Sequence, residues 1–328
     1  MNLSFIIPIY NVENHIAQTV RDINSKYTEQ HELIIVDDGS TDNSPQIVKE
    51  LQREVPTIRY ISLGVNLGAG VARNRGLKEA SGKYLLFFDA DDHLRTGVLE
   101  KMIAALEFTG ADLSIARYEY GTNAASSDSG RMHPPDERRW DEIIGDAPSR
   151  VTTIQQSPSL LQMTNYPWTK VIRADYARKI ELRFSETKVN NDIFAHWQSL
   201  MLSERVVMIN ESVCFHIVPA TGNNITNRKN EERFDIFRAL DDVDVLFDQR
   251  PRLRKLYYQR FIHFKLDMAK WAINKIDRPY YPRFIEELER SFRDLRFDDY
   301  LRAKSRMPKL AEELLDCHFG RPKFVKDV

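Results

Sequence analysis

Two hydrophobic patterns alternate along the first third of the chain. Short runs that stay apolar without alternating, "SFIIPI", "ELIIVDD", "RYISL", "KYLLFFDADD" and "ADLSIARYEY", read as strands buried on both faces, the mark of a parallel sheet. Between them lie amphipathic stretches of helical period at Glu13 to Ile23, Pro45 to Arg53, Gly68 to Ala80 and Thr96 to Phe108. Ser44 and Pro45 supply an N-cap and a first helical residue, and Gly82 is placed to end a helix. Strand–helix–strand units of this length predict a right-handed α/β sandwich.

The pattern then changes twice. Residues 121 to 150 are small, polar, charged and Pro-containing, which predicts a long loop. Periodicity resumes with "PWTKVIRADYARKI", a helix-like "NDIFAHWQSLMLS", and two short strand-like runs, "RVVMIN" and "SVCFHIV". From about Glu231 onward the chain reads as helix, with Arg254 to Ile276 the longest piece. No repeat of solenoid period is present.

Composition narrows the picture only slightly. The 328 residues suffice for one large domain with an extension, and 47 basic against 48 acidic residues leave no general pull toward nucleic acid. Cys214 and Cys317 lack the spacing of paired metal or redox motifs and fit a reducing compartment. "MNLSFIIPIYNVENH" lacks the features of a signal peptide, and no apolar run reaches bilayer length, so the expected location is cytoplasmic.

In open α/β sheets, ligands sit beyond the carboxyl ends of the strands. The segments there are "PIYN", "DDGSTD", "GVNLGAG" and "DADD". Asp89 and Asp91, two apart at a strand end, are expected to point the same way and to offer two hard oxygen ligands to Mg2+ or Mn2+, with substrate phosphates completing the shell. Alone, the same acids are also compatible with a solvated turn. "VDDGSTDNSP" offers acceptor carboxylates for a base or ribose, or simply a well-made turn. Glycines in "NLGAGVARNRG" stand where a helix start meets phosphates, but their spacing fits neither the dinucleotide fingerprint nor the P-loop. Arg73 and Arg75 are expected to face different ways, with one reaching the site.

In this order and spacing, "SFIIPIYN", "IIVDDGSTDNS", "NLGAGVARNRG" and "YLLFFDADD" resemble the nucleotide-sugar-binding half of a family 2 glycosyltransferase. The fold implied is GT-A: a Rossmann-like, mostly parallel sheet flanked by helices, here with a C-terminal helical extension. The resemblance covers residues 2 to 118 closely. It continues to about residue 228, where "PWTKVIRADYARK", "LRFSETKVNNDIFAHWQSL" and "VVMINESVCFHIVPATGNNIT" are similar to the acceptor-side half of bacterial members. It implies a domain over 1–228, divided at 118, and a helical region over 229–328.

By that resemblance, Pro8, Tyr10, Asp38 and Asn66 line a nucleoside pocket, and Arg73 approaches the nucleotide or its diphosphate. Asp89 touches ribose or sugar, Asp91 holds Mn2+ or Mg2+, and His216 joins the metal or a phosphate oxygen. A uridine diphosphate sugar is the implied donor, and a glycan or lipid-linked hydroxyl of surface polysaccharide or lipopolysaccharide synthesis the implied acceptor. An inverting, hexosyltransferase-type reaction needs a carboxylate base. Family members often carry an acidic pair at the helix start, where this chain has Asn191 and Asp192; Asp192 matches the base, and a helix N-terminus favours its ionised form. Trp168 is open to two readings, a sugar-stacking face or an aromatic filler, and Lys170 is a companion candidate.

Two rivals remain: a sugar nucleotidyltransferase, disfavoured because "PIYNVENH" is no glycine-rich basic loop, and a non-catalytic nucleotide-sugar-binding or scaffold protein. The tail admits a helical subdomain with solvated charges, a peripheral contact at the inner face of a membrane, or a homodimer contact. Interspersed acids such as Glu286, Glu287, Glu289, Asp298 and Asp299 favour the first.

Overall fold

The computed structural model describes residues 2–121, 131–217 and 229–325. Its first part runs β1 (Leu3–Ile9), α1 (Ile16–Lys26), β2 (His31–Asp37), α2 (Ser44–Glu54), β3 (Ile58–Ser62), α3 (Ala69–Glu79), β4 (Tyr84–Phe87), β5 (His93–Leu94), α4 (Val98–Thr109) and β6 (Leu113–Gly121). Then come α5 (Pro134–Ile144), β7 (Ser149–Thr152), β8 (Lys170–Arg173), α6 (Ala174–Lys179), α7 (Asp192–Met201) and β9 (Val206–Ile217). The C-terminal part is α8 (Asp235–Asp248), α9 (Pro251–Ile273), α10 (Tyr281–Phe292), α11 (Phe297–Arg306) and α12 (Pro308–His318).

These strands form one mixed sheet in the order β3-β2-β1-β4-β8-β6-β9-β5, with β7 also paired to β9. The β3-β2-β1-β4 block is wholly parallel. The unbroken apolar runs therefore mean what they say: Phe5, Ile6, Ile7, Leu33, Ile34 and Ile35 are fully buried, each stabilising by roughly 2 kcal/mol relative to exposure. Beyond β4 the directions mix: β8 is antiparallel to β4 and β6, while β9 runs parallel to β6.

Three local readings change. Helix α1 begins at Ile16, not Glu13, because the N–H groups of Val12 and Glu13 are taken by Ser44 Oγ (2.8 Å) and Asp42 Oδ2 (3.1 Å) of the neighbouring loop. The polar stretch 121–150 is not a single loop. Pro134 and Pro135 open α5, whose Asp136, Trp140, Ile143 and Ile144 form a buried face at helical spacing, and β7 follows. "RVVMIN" and "SVCFHIV" are one strand, β9, with register shifts where it passes Ala116 to Tyr118. Residues 122–130 of the expected loop, the "VPATGNNIT" run and the expected boundary at 228 lie outside the described residues or at their edge.

The C-terminal helices rest on the sheet domain, α8 against α7 and α9 against the 3-10 turn Pro158–Gln162. Several of their charges pair internally, including the buried Arg254 with Asp299 (2.8 Å) and Lys265 with Asp244 (2.5 Å). Among the described residues no helix is long and apolar enough to cross a membrane. Cys214 and Cys317 are both buried and free.

Candidate active site

Because β1 to β4 are parallel, the loops that follow them share one edge. The first two are laced together: Asn11 N donates to Ser40 Oγ (3.0 Å), Thr41 N to Asn11 Oδ1 (2.8 Å), and Asn43 N to Glu13 Oε2 (2.9 Å). Pro8 sits in β1 opposite Val36, and Tyr10 is 39% exposed at the mouth. Asp38 is buried, and its two oxygens accept from the backbone N–H groups of Leu67 (2.6 Å) and Gly68 (2.7 Å). Burial pushes its pKa up against the pull of those two donors. Asp38 thus holds the third loop in place. Asn66, on that loop, accepts from Lys188 Nζ at its carbonyl (2.6 Å) and side chain.

The glycines of the third loop face protein. A Cβ on Gly70 would lie 2.0 Å from Ser185 O, and one on Gly68, whose φ is +100°, would lie 3.0 Å from Thr187 O. They are small so that the segment before α7 can lie against α3. Arg75 pairs outward with Glu79, while Arg73 is buried. Arg73 donates to Asp89 Oδ1 and Asn191 Oδ1, both at 2.5 Å, with its guanidinium over the Phe184 ring. Expected to approach the nucleotide or its diphosphate, it forms a strut between the turn after β4 and the start of α7.

Strand β4 ends at Phe87, so strand alternation does not by itself set where the acids after it point. A turn in which Asp92 N approaches Asp89 O (3.3 Å) gives each carboxylate different surroundings. Asp89 is partly exposed and bonded to Arg73; Asp91 is exposed; Asp92 is buried, 2.6 Å from His216 Nδ1. The surrounding protein and the Asp89 charge push the Asp91 pKa up. Burial pushes Asp92 up as well. For His216, burial works downward, but the Asp92 bond and the Asp91 and Asp89 charges outweigh it and raise the pKa. Tyr166 stacks on Trp168 (4.5 Å between centroids) and lies 5.3 Å from the His216 ring. Trp168 is 1% exposed, so it fills the joint and cannot stack on a sugar.

Asp192 is the first residue of α7, and Asn191 precedes it without any side-chain cap bond. Asn191 turns its amide oxygen to Arg73 instead. Burial raises the Asp192 pKa, opposed by the Arg73 and Lys170 charges and reinforced by Asp89. Arg73 thus ties Asp89 to Asn191, and Asp192, next along the chain, lies within electrostatic reach of Arg73 and Asp89. Asp91 and His216 stand beside them, and Pro8, Tyr10, Asp38 and Asn66 form the loops of the same edge. Sequence reasoning missed Lys188, Tyr166 and the Asp92 contact. Lys188 lies in "SETKVNND", where no pattern marks it, and its partner is 122 positions away.

A sequence profile described as Glycosyl transferase family 2 matches residues 4–175. The uncharacterized glycosyltransferase YibD of Escherichia coli is 32% identical over 258 residues, 76% of this chain and 71% of YibD. Glycosyltransferase GlyA of Streptococcus pneumoniae is 28% identical over 215 residues, and the match takes in 64% of this chain but only 30% of GlyA. Among solved structures, S. aureus TarS 1-349 in complex with UDP superimposes with a TM-score of 0.76 at 19% identity, over 99% of this chain and 89% of that one. The overlay supports the GT-A fold, and with the profile match and the likeness to YibD it follows that the chain belongs to glycosyltransferase family 2.

Proposed function

We propose that the chain transfers a sugar, with inversion, from a uridine diphosphate sugar to a hydroxyl of a glycan or lipid-linked acceptor, with Asp192 as the base. The observation behind this is the strut from Asp89 through Arg73 to Asn191, which sets a carboxylate free of capping duty beside the acidic turn. TarS, of the same fold, binds UDP and UDP-GlcNAc, which supports the choice of donor.

In this reading residues 1–118 hold the donor, 119–228 shape the acceptor side, and 229–328 form a helical region resting on them. Pro8, Tyr10 and Asn66 line the nucleoside pocket on loops that Asp38 fixes. Asp89 keeps one oxygen for ribose or sugar, its other being bonded to Arg73. Asp192 takes the proton from the acceptor hydroxyl as that oxygen attacks the anomeric carbon. Its raised pKa means that transfer falls away as the solution becomes acidic, since only the carboxylate form accepts a proton.

The residues present fit a hard divalent cation. Asp91 offers an exposed carboxylate, and His216, oriented by the buried Asp92, keeps its second ring nitrogen for a ligand. No group of three or more such donors is found among the described residues, so Mn2+ or Mg2+ would take Asp91 and His216 and complete its shell from diphosphate and water. Bound there, the ion neutralises charge on the departing diphosphate.

A thermal-shift screen of nucleoside diphosphates and their sugars, with and without Mn2+, tests the donor: UDP compounds are expected to stabilise the protein, and no shift with any of them rejects the reading. Asp192→Asn is expected to cut transfer by roughly a hundred- to ten-thousandfold while donor binding stays. Unimpaired transfer would remove Asp192 from the role of base.

A further inference from the structure

Lys170 is the first residue of β8 and is 2% exposed, a rare state for lysine. Its ammonium donates to Tyr166 O (2.8 Å) and Thr169 Oγ1 (3.2 Å). Both acceptors are neutral, so the buried charge has no direct ion pair, an arrangement that costs stability unless a nearby anion offsets it. An ammonium has three N–H bonds, and two are used here.

A cavity of about 10 Å³, room for one water, lies between Lys170 and Asp192. Asn165 and His196 also line it, and both are buried. Asn165 Oδ1 and His196 Nδ1 have no partner, while His196 Nε2 faces Leu161 O (3.3 Å). A water in that space would find polar partners in Asn165, His196 and the third N–H of Lys170.

Two carboxylates act on Lys170, Asp192 and Asp136. Asp136 is already supplied by Tyr118 Oη (2.7 Å), Thr164 N (3.0 Å) and Arg139 (3.3 Å). On the other side, the charged groups acting on Asp192 are Arg73, Asp89 and Lys170, with the Tyr166 hydroxyl also within electrostatic reach. Arg73 is already bonded to Asp89 and Asn191. We propose that Lys170 is a positioning residue for the transfer: across the shared cavity its ammonium supplies a counter-charge that keeps Asp192 ionised.

The electrostatics agree. Burial lowers the Lys170 pKa to about 7, with Asp192 and Asp136 pulling the other way, and burial plus the Lys170 charge hold His196 neutral. Removing the ammonium should therefore make Asp192 harder to ionise, and the acidic limb of activity reports it.

The inference rests on Asp192 being the base, and the two can fail separately. In Lys170→Met the acidic limb of the kcat–pH profile is expected to move up by about half a pH unit, about threefold less transfer on that limb, with binding of UDP and Mn2+ unchanged. A folded variant with an unmoved limb overturns the proposal. If Lys170→Met does not fold, the 13Cε signal of Lys170 decides, titrated in the parent protein and in Asp192→Asn. Loss of Asp192 is expected to lower the lysine pKa by about half a unit, and identical titrations overturn the proposal. Asp192→Asn that still transfers sugar removes the base instead, whatever the lysine does.

Discussion

In the β1–β4 half of the sheet, the buried acids Glu32, Asp37 and Asp38 are met by backbone N–H groups and hydroxyls. Across the crevice, Asp92 and Asp192 lie within reach of other ionisable side chains. Asp37, for example, accepts from Ser40 N (2.9 Å) and Tyr60 Oη (2.8 Å), and Asp38 from two consecutive amides. Asp92 has His216, and Asp192 has the charges of Arg73 and Lys170. Amides and hydroxyls keep their state at every working pH, so the first half is a fixed scaffold. The second half is tunable, because Arg73 keeps its charge while His216 and Lys170 can gain or lose protons. Fixed loops on one side and adjustable acid–base groups on the other suit the proposed division between holding a donor and deprotonating an acceptor.

The seam between the halves is where this contrast is easiest to break. Gly70→Ala puts a methyl 2.0 Å from Ser185 O, a backbone atom that cannot swing away. The expected cost is about 3 kcal/mol, read as a lowered urea midpoint, with α7 pushed off α3 and transfer impaired more than UDP binding. Wild-type stability would show that the segment before α7 is loosely held and that the strut lacks a rigid base.

Arg73→Lys comes next. Lysine keeps the charge but loses the planar fork that reaches Asp89 and Asn191 together. About 2 kcal/mol of stability should be lost, with kcat falling while the melting shift caused by UDP remains. An unchanged kcat would separate the strut from catalysis.

How much of this was legible in the sequence follows the same division. The parallel block could be read from apolar runs because both faces of β1, β2 and β4 are covered, leaving no polar alternation to confuse them. Helix α5 was missed because its buried face includes Asp136, which burial does not betray in a polar stretch. At the site, Asp89, Asp91 and Asp192 stood out by position. Their partners did not, since Arg73 and Asn191 are 118 positions apart and Asp92 and His216 are 124 apart. Spacing said that one of Arg73 and Arg75 turns inward, the resemblance named Arg73, and Arg73 is the buried one. That it meets Asn191 is a tertiary fact. Strand alternation could not fix how Asp89 and Asp91 face, because the strand ends two residues before the first of them.

The smallest effect expected is the one that compares the halves by pH. Glu32 Oε1 accepts from Ser4 Oγ (2.6 Å), Ser81 N (2.7 Å) and Ser81 Oγ (2.8 Å), tying β1 and β2 to the turn before β4. Burial works to raise its pKa, but these donors win and the net shift is downward from 4.5. A carboxyl with a depressed folded pKa binds fewer protons than the unfolded chain as pH falls through that range. Its contribution is therefore complete above pH 4.5 and is lost as pH drops through the folded value. Asp192 has the opposite sign: burial raises its pKa, so acid relieves a strain there while it silences the proposed base. Glu32→Gln is expected to cost about 1 kcal/mol at pH 7 and to flatten the fall in urea stability between pH 5 and 3, leaving the acidic limb of transfer where it was. Should that limb move with Glu32, the two halves would be electrostatically coupled, and the separation of a fixed scaffold from a tunable wall would not hold.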